Sequence, residues 1–218
     1  MKKMLCLLLA LALLGLAACA KAGPEPTPTP EPTATPEPTP EPERVLVVYF
    51  SRSGEMPEVG EIEKGNTAVL AEKIAGRLNG DLFELRPADD RYSTVFEELS
   101  EQALTEQEER ARPPIADRLP DLSEYDVIFI GAPVWHGDWP MILYTYFEGA
   151  DLANRRLIPF CTHNGTGIAP LEQSLKRSCP YSQVEKGLGI RGVDVQNDPD
   201  RVERTLDRWF TVLGFPTA

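Results

Sequence analysis

The segment FIGAPVWHGDWPM, residues 129–141, places two tryptophans and a histidine directly after an apolar run. The glycines and prolines around Trp135 and Trp139 indicate a turn rather than a core segment. A buried strand therefore ends next to large, flat, apolar side chains. Such surfaces are suited to packing against a planar ring, by offset stacking or edge-to-face contact.

A second segment, SRSGEMPEVGEIEKGNT at residues 51–67, is suited to binding an anion. Ser51, Ser53 and Thr67 carry hydroxyl groups, and a helix is predicted to begin at Asn66. The first N–H groups of a helix lack partners within the helix and lie at the positive end of its dipole, so a phosphate is the expected ligand. A capped helix after a surface loop explains the same residues. The segment has neither the Gly-Lys-Ser/Thr ending of a nucleoside triphosphate loop nor a G-x-G-x-x-G motif.

A third segment, CTHNGTGIA at residues 161–169, is a glycine-rich turn before a predicted helix. By itself it is only a connection between a strand and a helix. Together, the three segments describe a site with phosphate-binding groups at one end and aromatic faces at the other. A planar ring with a phosphate tail fits this description.

The elements that position these segments alternate regularly along the chain. Continuous apolar runs indicate strands buried on both faces, and helical spacing of apolar residues indicates amphipathic helices. Strands are predicted at 44–50, 81–86, 126–132, 156–161 and 184–190, and helices at 66–78, 95–110, 140–148, 169–177 and 198–213. This alternation predicts an α/β fold, a three-layer, doubly wound, five-stranded parallel sheet that binds ligands at the carboxyl ends of its strands.

The motifs VLVVYFSRSG…GNTAVLAEKIA, YDVIFIGAPVWHGDWP and IPFCTHNGTGIA resemble the three cofactor segments of flavodoxin-like proteins. The resemblance covers nearly all of residues 44–215 and implies the strand order 2-1-3-4-5 and FMN as cofactor. It assigns to the phosphate Ser51, Arg52, Ser53, Gly54, Asn66 and Thr67. It assigns to the ring Pro133, Val134, Trp135, His136, Gly137, Thr162, His163, Asn164 and Gly165.

Two departures from the family pattern affect the site. Eleven residues, Glu55 to Gly65, separate Gly54 from Asn66 in the phosphate loop, and four of the eleven are glutamate. This insertion either folds away from the site or brings carboxylates close to the phosphate. The ring loop also has Trp135-His136 where related sequences often have two aromatic residues.

The two histidines of the chain, His136 and His163, both fall in the ring loops. They either bind the flavin and buffer its proton uptake on reduction or are ordinary polar loop residues. Zinc binding with Cys161 and Asp138 has no supporting spacing. No G-x-S-x-G elbow or C-x-x-C motif is present. Cys161 and Cys179 either pair or remain free. Trp139 is predicted to pack at the start of the helix that follows it, farther from the ring than Trp135, and Trp209 is predicted to pack in the core.

The N-terminal segment predicts a membrane-anchored protein. Residues 1–18 have the basic start and apolar run of a signal peptide, and Leu16-Ala17-Ala18-Cys19 resembles a bacterial lipobox in which Cys19 is lipidated. An uncleaved anchor helix or an ordinary secretory signal is the alternative. Residues 19–43 form a linker, and nine of the twenty residues in 24–43 are proline, which favours an extended stalk. The folded domain is 44–218.

These features predict an FMN-binding electron-transfer protein, lipid-anchored at the outer face of a bacterial membrane. The net charge of -12 argues against direct binding to nucleic acid or anionic lipid. The expected partners are a redox protein or a small-molecule electron acceptor. Two alternatives remain at this level, a flavin-dependent quinone or small-molecule reductase and a binding module that has lost FMN.

Overall fold

A computed structural model describes residues 43–89 and 91–216 of the chain. The predicted signal peptide, Cys19 and all of the predicted linker except Glu43 lie outside the described residues. The domain prediction for this part of the chain therefore stays a prediction. No helix within the described residues combines the length and apolar character that crossing a membrane requires.

The sheet confirms the predicted fold class and the strand order 2-1-3-4-5. The strands are β1 Val45–Tyr49, β2 Gly54–Met56, β3 Gly60–Ile62, β4 Asp81–Glu84, β5 Val127–Pro133, β6 Arg156–His163, β7 Gln183–Val184 and β8 Leu188–Arg191. The parallel sheet has the order β4-β1-β5-β6, and β7 and β8 both pair with β6 at its edge. β2 and β3 form a separate antiparallel hairpin.

The single strand predicted at 184–190 is wrong in detail, because it consists of β7 and β8. Pro159, which has no N–H to donate, lies between the two stretches of β6 that pair with them. Gly187 lies in the gap, where a Cβ atom would come within 2.6 Å of the Pro159 carbonyl oxygen. The edge strand is therefore interrupted between β7 and β8, where β6 has no N–H to donate at Pro159 and the backbones of Pro159 and Gly187 approach closely.

Helices cover both faces of the sheet and complete three layers. They are α1 Asn66–Leu78, α2 Phe96–Glu108, α3 Met141–Gly149, α4 Ala169–Ser178, α5 Gly192–Asn197 and α6 Pro199–Leu213, with a short 3-10 turn at Leu122–Glu124. One core cluster lies under α3 and α4, and the other under α1, α5 and α6. The five predicted helices are confirmed to within two residues, whereas α5 was not predicted.

Trp209 is in the core as predicted, and Trp139 lies just before α3 as predicted but is also buried in the core. Trp139 is 1% exposed, and its indole N–H donates to the Leu171 carbonyl oxygen at 3.0 Å. Trp209 on α6 packs edge-to-face on Phe129 at 5.5 Å. Cys161 and Cys179 are free, buried thiols, and burial raises the pKa of Cys161 to about 12.

Candidate functional site

A pocket opens where β1, β5 and β6 end, at the edge of the sheet predicted to bind ligands. Its lining combines polar groups around the start of α1 with apolar groups from the ring loop and α2. The lining residues are Ser51, Arg52, Met56, Pro57, Asn66, Thr67, Phe96, Leu99, Pro133, Val134, Trp135, Thr162, His163, Asn164, Gly192 and Val193. Ten of the fifteen predicted site residues are among them. Ser53, Gly54, His136, Gly137 and Gly165 are not.

The start of α1 is held against the segment that follows β1. The Ser51 hydroxyl accepts a hydrogen bond from the Ala68 N–H at 3.0 Å, which satisfies one of the helix's spare donors. A Cβ atom on Gly65 would come within 2.1 Å of the Arg52 carbonyl oxygen, so only glycine permits this approach. Within the described residues, the N–H groups of Asn66 and Thr67 have no acceptor and are available to an anion.

Arg52 brings a positive charge to the same pocket lining. Its Nη2 atom is buried without a hydrogen-bond partner among the described residues, and its Nη1 donates to the Glu55 carbonyl oxygen at a long 3.4 Å. Burial lowers the pKa of the Arg52 guanidinium, while Glu61 and Glu55 oppose that shift. The Nη2 atom lies on the side of Gly54, where a Cβ atom would come within 2.7 Å of it. Arg52 nevertheless lines the pocket, and its positive charge favours an anion there.

A pair of buried hydroxyls connects the phosphate end with the ring end. The Oγ1 atoms of Thr67 and Thr162 are 2.7 Å apart, a hydrogen-bond distance. One hydroxyl donates to the other, and the proton of the second remains free to donate elsewhere. The pair can therefore give at most one O–H bond to a ligand at the polar end.

Asn66 is supported by α5, which sequence reasoning missed. The Gln196 side-chain N–H₂ donates to the Asn66 amide oxygen at 2.7 Å. A Cβ atom on Gly192 would lie 2.6 Å from the Asn66 amide nitrogen, so glycine is required beside it. Gly192 and Val193 follow the last strand directly, and the rule that ligands bind at strand carboxyl ends would have included them.

Trp135 forms the aromatic wall of the pocket. Its ring packs edge-to-face on Phe50 at 5.3 Å and on Tyr92 at 5.1 Å. Two backbone hydrogen bonds join Trp135 and Asp138, and the central residues His136 and Gly137 have φ values of 45° and 78°. Two consecutive positive φ values are typical of a tight type I′ turn. This turn holds Trp135 at the pocket.

The turn places His136 outside the pocket lining, against α2. Its Nε2–H lies 2.8 Å from the Ser100 carbonyl oxygen on α2, to which it donates. Gly137 lies in the same turn outside the lining. The contacts of His136 and Gly137 with the ring stay predictions.

Ser53, Gly54 and Gly165 are likewise outside the lining. Ser53 and Gly54 lead away into the β2–β3 hairpin, and Ser53 lines a neighbouring groove instead. The Gly165 N–H donates to the Nδ1 atom of His163 at 3.0 Å and so supports the side chain of a residue that lines the pocket.

The inserted segment 55–65 neither folds away nor places its glutamates in the pocket lining. It contributes Met56 and Pro57 to the pocket lining. These two residues are apolar, although the segment as a whole is rich in glutamate. The Glu55 carboxylate accepts a hydrogen bond from the Phe96 N–H at 3.1 Å, and Glu58 forms an ion pair with Arg191. Phe96 and Leu99 of α2 also line the pocket, and no local sequence signal identified them.

His163 is neutral in this arrangement because its Nδ1 accepts the Gly165 N–H, which leaves the proton on Nε2. Burial lowers the pKa of His163, and Arg191 lowers it further, whereas Asp194 raises it. Among the described residues, no group of three or more His, Cys, Asp or Glu side chains is placed to bind a metal ion.

The polar end, with the Arg52 guanidinium, free helix N–H groups and hydroxyls, fits a phosphate, and Trp135 with its apolar neighbours fits a planar ring. Comparisons with known proteins agree with this geometry. No curated protein matches the chain. A candidate flavoprotein from Bacteroides eggerthii is 26% identical, with a TM-score of 0.63 and coverage of 80% of this chain and 99% of that one.

A candidate flavoprotein from Bacteroides uniformis is also 26% identical, with a TM-score of 0.60 over 76% of this chain and 99% of that one. A Lactobacillus acidophilus flavoprotein, solved in complex with FMN, shares the fold at 24% identity and a TM-score of 0.56, over 71% of this chain and 97% of that one. The flavodoxin sequence model matches residues 44–205. Residues 44–205 make up most of the chain, which therefore belongs to the flavodoxin family.

Proposed function

We propose that the domain binds FMN in this pocket and serves in electron transfer. The observation that carries the proposal is the pair of free N–H groups of Asn66 and Thr67 in a pocket that Arg52 also lines. A phosphate accepts hydrogen bonds from both N–H groups and is attracted by the positive charge of Arg52, and the Trp135 wall suits a flat ring. The flavodoxin family and the FMN complex of the Lactobacillus acidophilus relative support the same cofactor.

The chain's own residues have distinct tasks in this proposal. Arg52, the start of α1 and the hydroxyl pair of Thr67 and Thr162 hold the phosphate. Trp135 and Val134 border the ring, and the apolar lining excludes water from it. Bound FMN supplies the redox chemistry, and the protein binds it, orients it and sets its potential.

The proposal is tested by the absorption spectrum and FMN titration of the purified full-length protein. We expect a yellow protein, or an FMN-free protein that takes up FMN at one site per chain. Riboflavin has the same ring without the phosphate and should bind at least 10-fold more weakly, because charged hydrogen bonds contribute about 1.5–3 kcal/mol each. Absence of FMN binding would instead favour a binding module that has lost its cofactor.

A small-molecule reductase is the second candidate, and the apolar wall favours it. Met56, Pro57, Phe96 and Leu99 line the pocket and offer a surface for a flat apolar acceptor such as a quinone. Steady-state reduction of soluble quinones by the FMN-loaded protein, compared with electron transfer to redox proteins, distinguishes the two functions.

The proposed location is the outer face of a bacterial membrane. The signal-like residues 1–18, the lipobox ending at Cys19 and the proline-rich linker support it. A stalk of this kind would hold the domain away from the lipid surface, where a redox partner protein or a soluble electron acceptor reaches the pocket.

A further inference from the structure

The β2–β3 hairpin, residues 54–62, is inserted into the phosphate loop beside the pocket. The Val59 N–H donates to the Met56 carbonyl oxygen at 3.2 Å and closes the turn. Glu58 occupies this turn with φ at 65°, a conformation unfavourable for a residue other than glycine. The turn directs the Glu58 carboxylate away from the hairpin and towards Arg191.

One side of the hairpin is attached to the wall formed by α2. The Glu55 N–H donates to the Thr94 carbonyl oxygen at 2.8 Å, and the Glu55 carboxylate accepts from the Phe96 N–H at 3.1 Å. Phe96 is the first residue of α2, so the carboxylate lies at the positive end of that helix. Phe96 itself lines the pocket.

The hairpin turn is attached to the opposite wall by a single polar contact. Glu58 and Arg191 form an ion pair at 2.6 Å, with side chains 48% and 45% exposed. Arg191 directly precedes Gly192 and Val193, which line the pocket from α5. Among the described residues, no other side-chain hydrogen bond or ion pair joins 57–62 to that wall. Met56 and Pro57, between the two attachments in sequence, face the pocket.

We propose that this hairpin is a clamp that retains the ligand, and that the Glu58–Arg191 ion pair controls how fast it opens. The inference rests on the proposed FMN site and adds a determinant of ligand exchange. The attachment on the α2 side has two hydrogen bonds, one of them between backbone groups, whereas the attachment to Arg191 is a single exposed ion pair that salt screens. Opening therefore begins on the Arg191 side and moves Met56 and Pro57 away from the ligand.

The test measures FMN dissociation from the loaded full-length protein after rapid dilution, followed by flavin fluorescence. Glu58→Gln and Arg191→Gln should each raise the dissociation rate constant about 2- to 5-fold, the range for an exposed ion pair. The double variant should be no faster than either single variant, and the swap Glu58→Arg with Arg191→Glu should restore slow release. Added salt should accelerate release from the parent protein and leave Glu58→Gln nearly unchanged.

Amide hydrogen exchange on the FMN-free protein gives an independent measurement. Both single variants should exchange the amides of 54–62 faster than the parent protein. Glu124→Gln is the matched control, because Glu124 forms a similarly exposed ion pair with Arg44 at the opposite end of the strands. It should change neither measurement.

The clamp is wrong if the variants release FMN at the parent rate, even when hairpin exchange changes, or if Glu124→Gln has the same effect as Glu58→Gln. A parent protein that binds no FMN contradicts the proposed function instead. In that case, unchanged exchange at 54–62 in both variants would separately show that the ion pair does not hold the hairpin.

Discussion

The Thr67 hydroxyl lies 2.7 Å from the Thr162 hydroxyl, although 95 residues separate them in sequence. This contact joins the first turn of α1 to the end of β6 at the polar end of the pocket. Since only one proton of the pair is free, the two side chains act together toward a ligand.

Replacing Thr67 by valine should weaken FMN binding about 10- to 150-fold, because a hydrogen bond to a charged group contributes about 1.5–3 kcal/mol. It also leaves the buried Thr162 hydroxyl without its partner, which should lower the free energy of unfolding by about 1–3 kcal/mol. Thr67→Ser keeps the hydroxyl and is the control. Equal weakening of FMN and riboflavin in titrations would show that Thr67 does not face the phosphate.

Arg52→Met should weaken FMN binding by a similar 10- to 150-fold and leave riboflavin binding nearly unchanged. Because Arg52 Nη2 has no partner and Nη1 makes only one long hydrogen bond, the substitution should change the free energy of unfolding of the FMN-free protein only slightly. Arg86→Met is the control, since Arg86 is exposed and paired with Asp117. A loss of stability in FMN-free Arg52→Met, with FMN affinity unchanged, would assign Arg52 a purely structural role.

Trp135→Ala should weaken FMN binding by about 0.5–1.5 kcal/mol through loss of aromatic pairing, in addition to the free energy lost with the buried apolar area. It should also shift the midpoint potential of bound FMN, because aromatic contact acts unequally on the oxidised and reduced rings.

Trp139→Ala should instead lower the free energy of unfolding by about 3–5 kcal/mol, because Trp139 is in the core. Trp209→Phe should leave both FMN measurements unchanged. An effect of Trp139→Phe on affinity and potential, with none from Trp135 variants, would contradict this placement.

The stability of the FMN-free protein should fall on acidification through His163. Its pKa is lowered in the folded state, so the unfolded chain binds the proton more readily. The contribution to stability is complete above the ordinary histidine pKa of about 6.5 and is lost as the pH falls toward the folded-state pKa. Protonation of Nδ1 also breaks the bond from Gly165.

Denaturant unfolding between about pH 8 and pH 5 measures this effect. His163→Asn should flatten the pH dependence in that range, since asparagine does not titrate there. The matched control is His136→Asn, whose ring lies outside the pocket against Ser100. An unchanged slope in His163→Asn would assign the pH dependence to other groups.

Cys19→Ala should release the protein from membranes or block its processing, because the proposed lipid supplies most of the attachment. Fractionation of cells that express the parent and variant proteins measures this. A processed variant that stays with membranes through carbonate washing would contradict lipidation at Cys19.

Much of the fold and part of the pocket could be predicted from local patterns. The bounds of α1 are those predicted, because its apolar residues recur at helical spacing and Gly65-Asn66 marks its start. Continuous apolar runs identified β1, β5 and β6, since a parallel sheet buries both faces of its strands. The rule that ligands bind where such strands end identified the three segments, and the resemblance to flavodoxin-like proteins assigned ten of the residues that line the pocket.

The remaining features depend on contacts between residues distant in sequence. Glu55 binds the start of α2 from 41 residues away, and this places Met56, Pro57 and Phe96 at one pocket. The direction of His136 depends on a carbonyl group of another helix.

The sequence by itself therefore determined the order of elements and the edge of the sheet where a ligand binds, because hydrophobic periodicity and helix-start signals act within a few residues. The tertiary structure decided which side chains face the ligand, how Thr67 pairs with Thr162 and where the inserted hairpin lies. Those outcomes depend on steric fit and hydrogen-bond partners that exist only once the layers are packed together.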